Sequence, residues 1–211
     1  MKPGHGVTLV GGAPVAPEDL QWAAARAPRV IAADSGADTV ILAGQTPEAV
    51  IGDLDSVSDR TRTSLPQGVL HHIADQDSTD FEKCLSLIDA PLIVGLGFLG
   101  ARIDHTLAAL SCLARNPAPC ILLGPSDVAF AAPAALRLDL APGTRVSLFP
   151  MRPTEGRSEG LRWPIDGLRL DPSGRIGTSN EATGAVYLEA EGLLVLLPRS
   201  ERDVAVRVFA P

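Results

Sequence analysis

The chain has 211 residues, 45% hydrophobic and 20% charged, which suits an ordinary globular protein of one large or two small domains. A net charge of −7 argues against a general nucleic-acid binder, which would carry a basic face, but not against a phosphate-binding enzyme whose positive charge comes from a metal ion. No apolar run approaches the roughly 20 residues of a membrane-spanning helix. No signal peptide is expected, and three cysteines without metal-ligand spacing fit reduced thiols in a cytoplasmic protein.

Up to about residue 130, short apolar runs alternate with helical patterns. Strands are expected at Val7–Val10, Val30–Ala33, Ala49–Leu54, Val69–Ile73, Leu92–Gly95 and Ile121–Leu123. Helices are expected between them, at Pro17–Ala27, Asp38–Leu42, Asp59–Leu65, Thr79–Ile88 and Ile103–Arg115. Such alternation implies parallel βαβ units with helices covering the sheet. Right-handed crossovers then gather the strand C-termini on one edge, where open sheets bind ligands. The polar motifs follow those ends: Asp34-Ser35-Gly36, Gly52-Asp53-Leu54-Asp55, the stretch from Asp75 to Asp80, and that from Gly97 to Asp104.

Ile51-Gly52-Asp53-Leu54-Asp55-Ser56 carries the strongest chemical signal. On a strand running from Ala49 to Leu54, alternation puts Asp53 and Asp55 on one face, where each like charge raises the other's pKa. A hard cation between them relieves that repulsion, and Mg²⁺ takes one or two carboxylates plus phosphate oxygens. The plainer alternative is a polar loop with two solvated aspartates.

Asp75-Gln76-Asp77-Ser78-Thr79-Asp80-Phe81-Glu82-Lys83 opens the fourth helix, with Thr79 and Glu82 spaced as a capping box. Capping and the helix dipole account for Asp77 and Glu82. They do not need every aspartate here, and Asp80 is the preferred third member of a metal site with Asp53 and Asp55. Gly95-Leu96-Gly97-Phe98-Leu99-Gly100 matches the dinucleotide-binding glycine pattern, but at the fifth strand, with no acidic residue ending the next one. A phosphate-cradling turn is the better expectation, with Arg102 as a phosphate fork beside Asp104 and His105.

After about Pro133, short alternating segments take over: Leu136–Leu140, Arg145–Phe149, Ala185–Glu189 and Leu193–Leu197, with turns at Ala141-Pro142-Gly143, Asp171-Pro172-Ser173-Gly174 and Glu191-Gly192. No helix is expected there, and the segment reads as a small antiparallel β-sandwich or barrel. Trp163 stands in a Gly- and Pro-bounded strand in a chain with only 4% aromatics. Its indole suits either the core or a flat aromatic or cationic ligand, with Ser179-Asn180 as a turn or a hydrogen-bonding pair beside that ligand.

Ala33-Asp34-Ser35-Gly36-Ala37, Gly52-Asp53-Leu54-Asp55-Ser56, Asp75-Gln76-Asp77-Ser78-Thr79-Asp80-Phe81, Gly100-Ala101-Arg102-Ile103-Asp104-His105, Gly160-Leu161-Arg162-Trp163 and Thr178-Ser179-Asn180, taken in this order, resemble the thiamine diphosphokinase (thiamin pyrophosphokinase) family. The family often has Asp-Gly-Gly at Asp34-Ser35-Gly36, Asp-Phe-Asp at Asp53-Leu54-Asp55, and Gly-Gly-Arg at Gly100-Ala101-Arg102. The resemblance implies an α/β fold: an open, mostly parallel sheet with flanking helices over residues 1–132, then a small antiparallel β-sandwich domain over residues 133–211 that binds thiamine.

It further implies a cytoplasmic homodimer with active sites shared between subunits, converting ATP and thiamine to AMP and thiamine diphosphate with Mg²⁺. Asp53, Asp55 and Asp80 would hold the metal and, with Asp104, form the catalytic carboxylates. Asp34, Ser35, Gly36, Ser56, Asp77, Ser78, Thr79, Lys83, Gly100, Arg102 and His105 would surround ATP. Gln76 would face thiamine, Trp163 would stack on its pyrimidine ring, and Ser179 and Asn180 would be its polar neighbours, reaching the other subunit's site. Asp80 and Asp104 are both candidate proton acceptors. The rival readings are a diphosphokinase for another flat heterocyclic alcohol, such as a pterin, and a non-enzymatic nucleotide or thiamine sensor. Trp163 with Ser179-Asn180 weighs against the first, the carboxylate cluster against the second.

Overall fold

The computed structural model describes residues 5–75 and 77–209. The chain divides into two compact units, Met1–Cys112 with Ala118–Leu123, and Leu113–Pro117 with Gly124–Pro211. In the first unit, β1 (Val7–Val10), β2 (Arg29–Ala33), β3 (Ala49–Gly52), β4 (Leu70–His72), β5 (Ile93–Leu96) and β6 (Cys120–Leu123) alternate with α1 (Pro17–Ala24), α2 (Gly36–Leu42), α3 (Asp59–Ser64), α4 (Asp80–Leu87) and α5 (Ile103–Arg115). Each element lies within a few residues of its expected place. Strands β1, β5 and β6 pair in parallel, as do β2, β3 and β4. Strands β1, β3, β5 and β6 are buried along their whole length, as expected of a parallel sheet covered on both faces.

The start of β2 lies beside the start of β1. The Arg29 N–H donates to the Gly6 carbonyl at 3.3 Å, and the buried Thr8 hydroxyl donates to the Ala27 carbonyl at 2.7 Å. The spatial order is therefore β4-β3-β2-β1-β5-β6. The chain steps outward from β1 to β4, then returns to the other side of β1, so the strand order reverses between β1 and β5. The crevice beyond the C-termini of those two strands is the switch point at which open α/β sheets bind ligands.

One expected strand is corrected. The third strand ends at Gly52 instead of Leu54, and Leu54 has a left-handed backbone with φ 62°. Strand alternation therefore does not govern Asp53 and Asp55. The Asp55 N–H instead donates to Asp53 Oδ1 at 3.3 Å, a local turn that the polar side chain itself supports.

The second unit is antiparallel throughout its pairings: β7 (Asp127–Ala131), β8 (Ala135–Leu138), β9 (Arg145–Pro150), β10 (Thr154–Leu161), β11 (Arg169–Leu170), β12 (Gly177–Ala190) and β13 (Leu193–Pro198). Strand β12 organises it. The Gly177–Glu181 end pairs with β9, while the Val186–Glu189 stretch lies between β8 and β10. A strand shared by two layers needs bends, and register shifts occur between Gly177 and Asn180 and between Glu159 and Leu161. At the second shift, Gly160 has φ 75°, and a Cβ there would lie 2.0 Å from the Ala185 carbonyl oxygen, so only glycine fits.

The expectation of no helix in this half is overturned by α6 (Arg202–Arg207), preceded by a 3₁₀ turn at Arg199–Glu201. Pro198 ends β13, and Val204 and Ala205 are the residues α6 buries. Three consecutive apolar residues flanked by charged ones in so short a segment leave too little periodicity to read from the sequence.

The close approach of α2 to β1 yields a test of the packing. A Cβ on Gly36 would lie 2.0 Å from the Val10 carbonyl oxygen and 2.7 Å from its carbon. Gly36→Ala is expected to cost about 1–3 kcal/mol of unfolding free energy, read from the urea midpoint. An unchanged midpoint would show that α2 has slack against β1.

Candidate active site

The site forms where the chain leaves the C-terminal ends of β1, β2, β3, β4 and β5. A cavity of about 510 Å³ opens there, lined by Gly11, Gly12, Asp34, Ser35, Asp53, Asp55, Ser56, Ser78, Thr79, Asp80, Lys83, Phe98, Arg102 and His105, among others. Most of the residues expected around a nucleotide and metal are therefore together. Gly36 lies behind them against β1, and Gly100 shapes the turn before α5 with φ 88°. Asp77 is exposed, its N–H donating to Asp75 Oδ1 at 3.0 Å. Gln76 lies outside the described residues.

Three carboxylates dominate the cavity. Asp34, Asp53 and Asp80 each offer an oxygen, and these oxygens lie within 4.8 Å of one another. At 4.8 Å and an effective dielectric of about 20, each ionised pair repels by roughly 3 kcal/mol. Asp34 is only 5% exposed and its Oδ1 is buried without a hydrogen-bond partner among the described residues. Burial raises its pKa above the usual carboxylate value, the charges of Asp80 and Asp53 add to the rise, and the Ser35 N–H and Ser56 hydroxyl oppose it. A buried carboxylate with one oxygen left unpartnered is a natural seat for a cation.

The backbone holds this arrangement. Asp34 has φ 43°, a left-handed turn between β2 and α2. A Cβ on Gly52 would lie 3.0 Å from Asp34 Cβ and from Asp80 Oδ1, so glycine keeps the space the carboxylates use. Thr79 caps α4 by accepting the Glu82 N–H at 3.3 Å, which places Asp80 at the first helical position. The buried Lys83 ammonium donates to Asp80 Oδ1 at 3.1 Å and partly offsets the cluster.

At the mouth, Arg102 grips Asp104 through both carboxylate oxygens, with Nε 3.1 Å from Oδ1 and Nη2 2.5 Å from Oδ2. Arg102 is the main cause that holds the Asp104 carboxyl down at about 2, with the His105 N–H assisting. Both groups are exposed, so the pair orients the guanidinium more than it stabilises the fold.

Reading the sequence motif by motif missed the Gly11-Gly12-Ala13 loop. The Gly11 N–H donates to the Leu96 carbonyl at 2.8 Å and the Ala13 N–H to the Gly97 carbonyl at 2.9 Å. A Cβ on Gly97 would lie 2.6 Å from the Gly11 oxygen, and one on Gly11 would lie 2.7 Å from the Gly97 oxygen. The fifth-strand glycine pattern is thus one half of a paired turn across the switch point. Its only signal in the sequence is a Gly-Gly directly after the first strand.

In the second unit, Trp163, Ser179 and Asn180 come together. Trp163 is 54% exposed, with the Arg162 guanidinium carbon 4.9 Å from its ring centroid. Ser179 has φ 59°. The non-glycine residues with positive φ among those described are Asp34, Leu54 and Ser179, each inside a motif singled out from the sequence. Strain of this kind persists where the surroundings over-determine it, commonly at functional sites.

Comparison with known proteins bears on the family. Residues 20–122 match the family model of the thiamin pyrophosphokinase catalytic domain, and residues 135–192 that of the thiamin pyrophosphokinase vitamin B1 binding domain. Thiamin pyrophosphokinase 1 of Caenorhabditis elegans is 31% identical over 168 residues, covering 71% of this chain and 68% of the nematode protein. Thiamine pyrophosphokinase 1 of Oryza sativa subsp. japonica is 29% identical over 64% of this chain, which spans only 58% of the rice protein. In fold, the chain is similar to the thiamin pyrophosphokinase from Candida albicans, with a TM-score of 0.77 at 15% identity over 92% of this chain and 89% of that one. It is likewise similar to the Geobacillus thermodenitrificans enzyme, with a TM-score of 0.74 at 21% identity over 91% and 96% of the two chains. From these matches and the motifs in order, the chain belongs to the thiamin pyrophosphokinase family.

Proposed function

We propose that this chain transfers a diphosphoryl group from ATP to the hydroxyl of thiamine, giving thiamine diphosphate and AMP, and that it uses Mg²⁺. One observation carries the reading beyond family membership: Asp34, Asp53 and Asp80, from separate loops, converge on one cavity with oxygens within 4.8 Å of one another. An all-oxygen donor set that includes one buried carboxylate oxygen without a hydrogen-bond partner among the described residues fits a small hard cation. Asp53 and Asp80 are ligands expected from the sequence, Asp55 lines the same cavity as the third, and Asp34 joins them. Mg²⁺ held there would neutralise charge on the transferred group and on the departing AMP.

The chain's own groups do the positioning on which phosphoryl chemistry depends. The paired glycine turns let a phosphate approach the backbone closely, and the starts of α4 and α5 supply residues to the same cavity. Lys83 keeps Asp80 oriented and adds fixed positive charge. Arg102, presented by Asp104, offers a planar fork to phosphate oxygens. A carboxyl held near 2 is a weak base, so Asp104 serves to present Arg102, which leaves Asp80 of the two candidates for taking the hydroxyl proton. In this reading residues 1–132 carry the ATP chemistry and residues 133–211 the recognition of thiamine. The protein is a homodimer in which Trp163, Ser179 and Asn180 of one subunit serve the cavity of the other. Gln76 is assigned to thiamine and the protein to the cytoplasm, the latter supported by its three buried free cysteines.

The direct test is incubation with ATP, Mg²⁺ and thiamine, scored for AMP and thiamine diphosphate in equal amounts. Asp53→Asn is expected to cut turnover by about 10²–10³-fold or more without shifting the thermal midpoint appreciably. Near wild-type turnover in that variant would remove the carboxylates from the mechanism.

Asp34 provides a test that needs no turnover. Its pKa is raised in the fold, so between the ordinary value of 3.8 and its folded value the native state binds more protons than the unfolded state. In EDTA, wild-type stability should therefore fall as pH rises through that window, and Asp34→Asn should lose less. Saturating Mg²⁺ at neutral pH should raise the wild-type midpoint by an amount equivalent to about 1–3 kcal/mol, and that of Asp34→Asn by much less. Equal Mg²⁺ responses in the two proteins would place the ion elsewhere.

A further inference from the structure

Trp163 lies just beyond the end of a strand, where its backbone has no ladder partner. Strand β10 ends at Leu161, the Arg162 N–H still donates to the Glu181 carbonyl at 2.8 Å, and Pro164 follows with no N–H to give. The peptide groups of Trp163 are met by a side chain instead. Asn180 Oδ1 accepts the Trp163 N–H at 3.2 Å, and Asn180 Nδ2 donates to the Trp163 carbonyl at 2.6 Å. The same Oδ1 also accepts the Glu181 N–H at 2.8 Å.

That use exhausts the carboxamide oxygen. An amide oxygen has two lone pairs, and both are engaged with backbone N–H groups. The residue is 6% exposed. Asn180 therefore has no acceptor left for a ligand, although the sequence pairs it with Ser179 as a polar neighbour of thiamine. The indole it supports is 54% exposed even with Arg162 against the ring, and Arg162 is itself steadied by Glu181 at 3.5 Å. The register of Asn180 is fixed from the other side. The Ser179 N–H donates at 3.0 Å to the buried Ser147 hydroxyl, which accepts from Arg145 at 3.2 Å, and Arg145 is paired with Asp127.

We infer that Asn180 is a positioning residue: it clamps the backbone of Trp163 so that the indole stands ready as a platform for a flat heteroaromatic substrate, and its carboxamide oxygen is spent on the protein and not on the ligand. This rests on the reading of Trp163 as the surface that receives thiamine. A platform ordered before binding spares the substrate the entropy of ordering it. An aid to binding that acts equally on ground and transition states changes KM and leaves kcat alone.

The test uses the full-length protein carrying Trp22→Phe, so that Trp163 is the sole tryptophan of a chain that has two. Asn180→Ala removes the clamp. Asn180→Asp keeps its shape but replaces the donor to the Trp163 carbonyl with an acceptor, and serves if the alanine variant does not fold. In either folded variant, Trp163 fluorescence anisotropy without substrate should fall and acrylamide quenching should rise. The KM for thiamine should rise about ten-fold or more, with kcat and the KM for ATP within about two-fold. Raised thiamine KM with unchanged anisotropy would make Asn180 a ligand contact and overturn the inference. So would increased indole mobility with unchanged KM. Trp163→Ala, run in parallel, separates the two readings: if it leaves the thiamine KM at the parent value, the platform reading itself fails. If it raises that KM while the Asn180 variants do not, the positioning role alone fails.

Discussion

Like-charge repulsion is the constraint around which the first unit is built. Asp34 and Asp53 belong to separate loops and Asp80 to the start of α4, yet their oxygens approach within 4.8 Å. Backbone features that would otherwise be costly hold them there: a left-handed Asp34, a left-handed Leu54 two positions before which the strand stops, and a glycine at position 52 that leaves the carboxylates their space. Lys83 returns part of the charge from inside the helix that presents Asp80. Asp34 Oδ1 is buried with no hydrogen-bond partner among the described residues. A cation held between these oxygens would relieve that repulsion.

The neighbouring loops obey a different requirement, close approach. Gly11 and Gly97 meet across the switch point because neither has a Cβ, and their N–H and C=O groups stitch the two turns together. The result is a rigid rim at the place where a parallel sheet leaves a crevice. Acidic side chains and a nearly side-chain-free backbone thus share one cavity, the first suited to metal ions and the second to phosphate.

In the second unit the same economy is applied to an aromatic surface. An exposed indole on a free strand end would sample many positions. Two register shifts bring Trp163 and Asn180 together, and the carboxamide then replaces the missing ladder. The left-handed Ser179 is the local cost of turning Asn180 toward Trp163, and Ser147 and Arg145 absorb it.

The sequence by itself determined the alternation of strand and helix, the edge at which the motifs would gather, and the chemical class of the side chains brought there, because periodicity and residue type are local properties. It singled out Asp53, Asp80 and Trp163, whose neighbours in the chain already look unusual. Only the tertiary structure decided which carboxylates share an oxygen shell, since Asp34 is 19 positions from Asp53 and its part depends on where β2 and β3 end. It also decided that Gly11 needs Gly97, that Asp53 and Asp55 are joined by a turn instead of a strand face, that a short charged segment closes as α6, and that Asn180 spends its hydrogen bonds on Trp163. The first and last of these are pairings between segments distant in the chain, and the other two depend on backbone angles that residue type alone does not set.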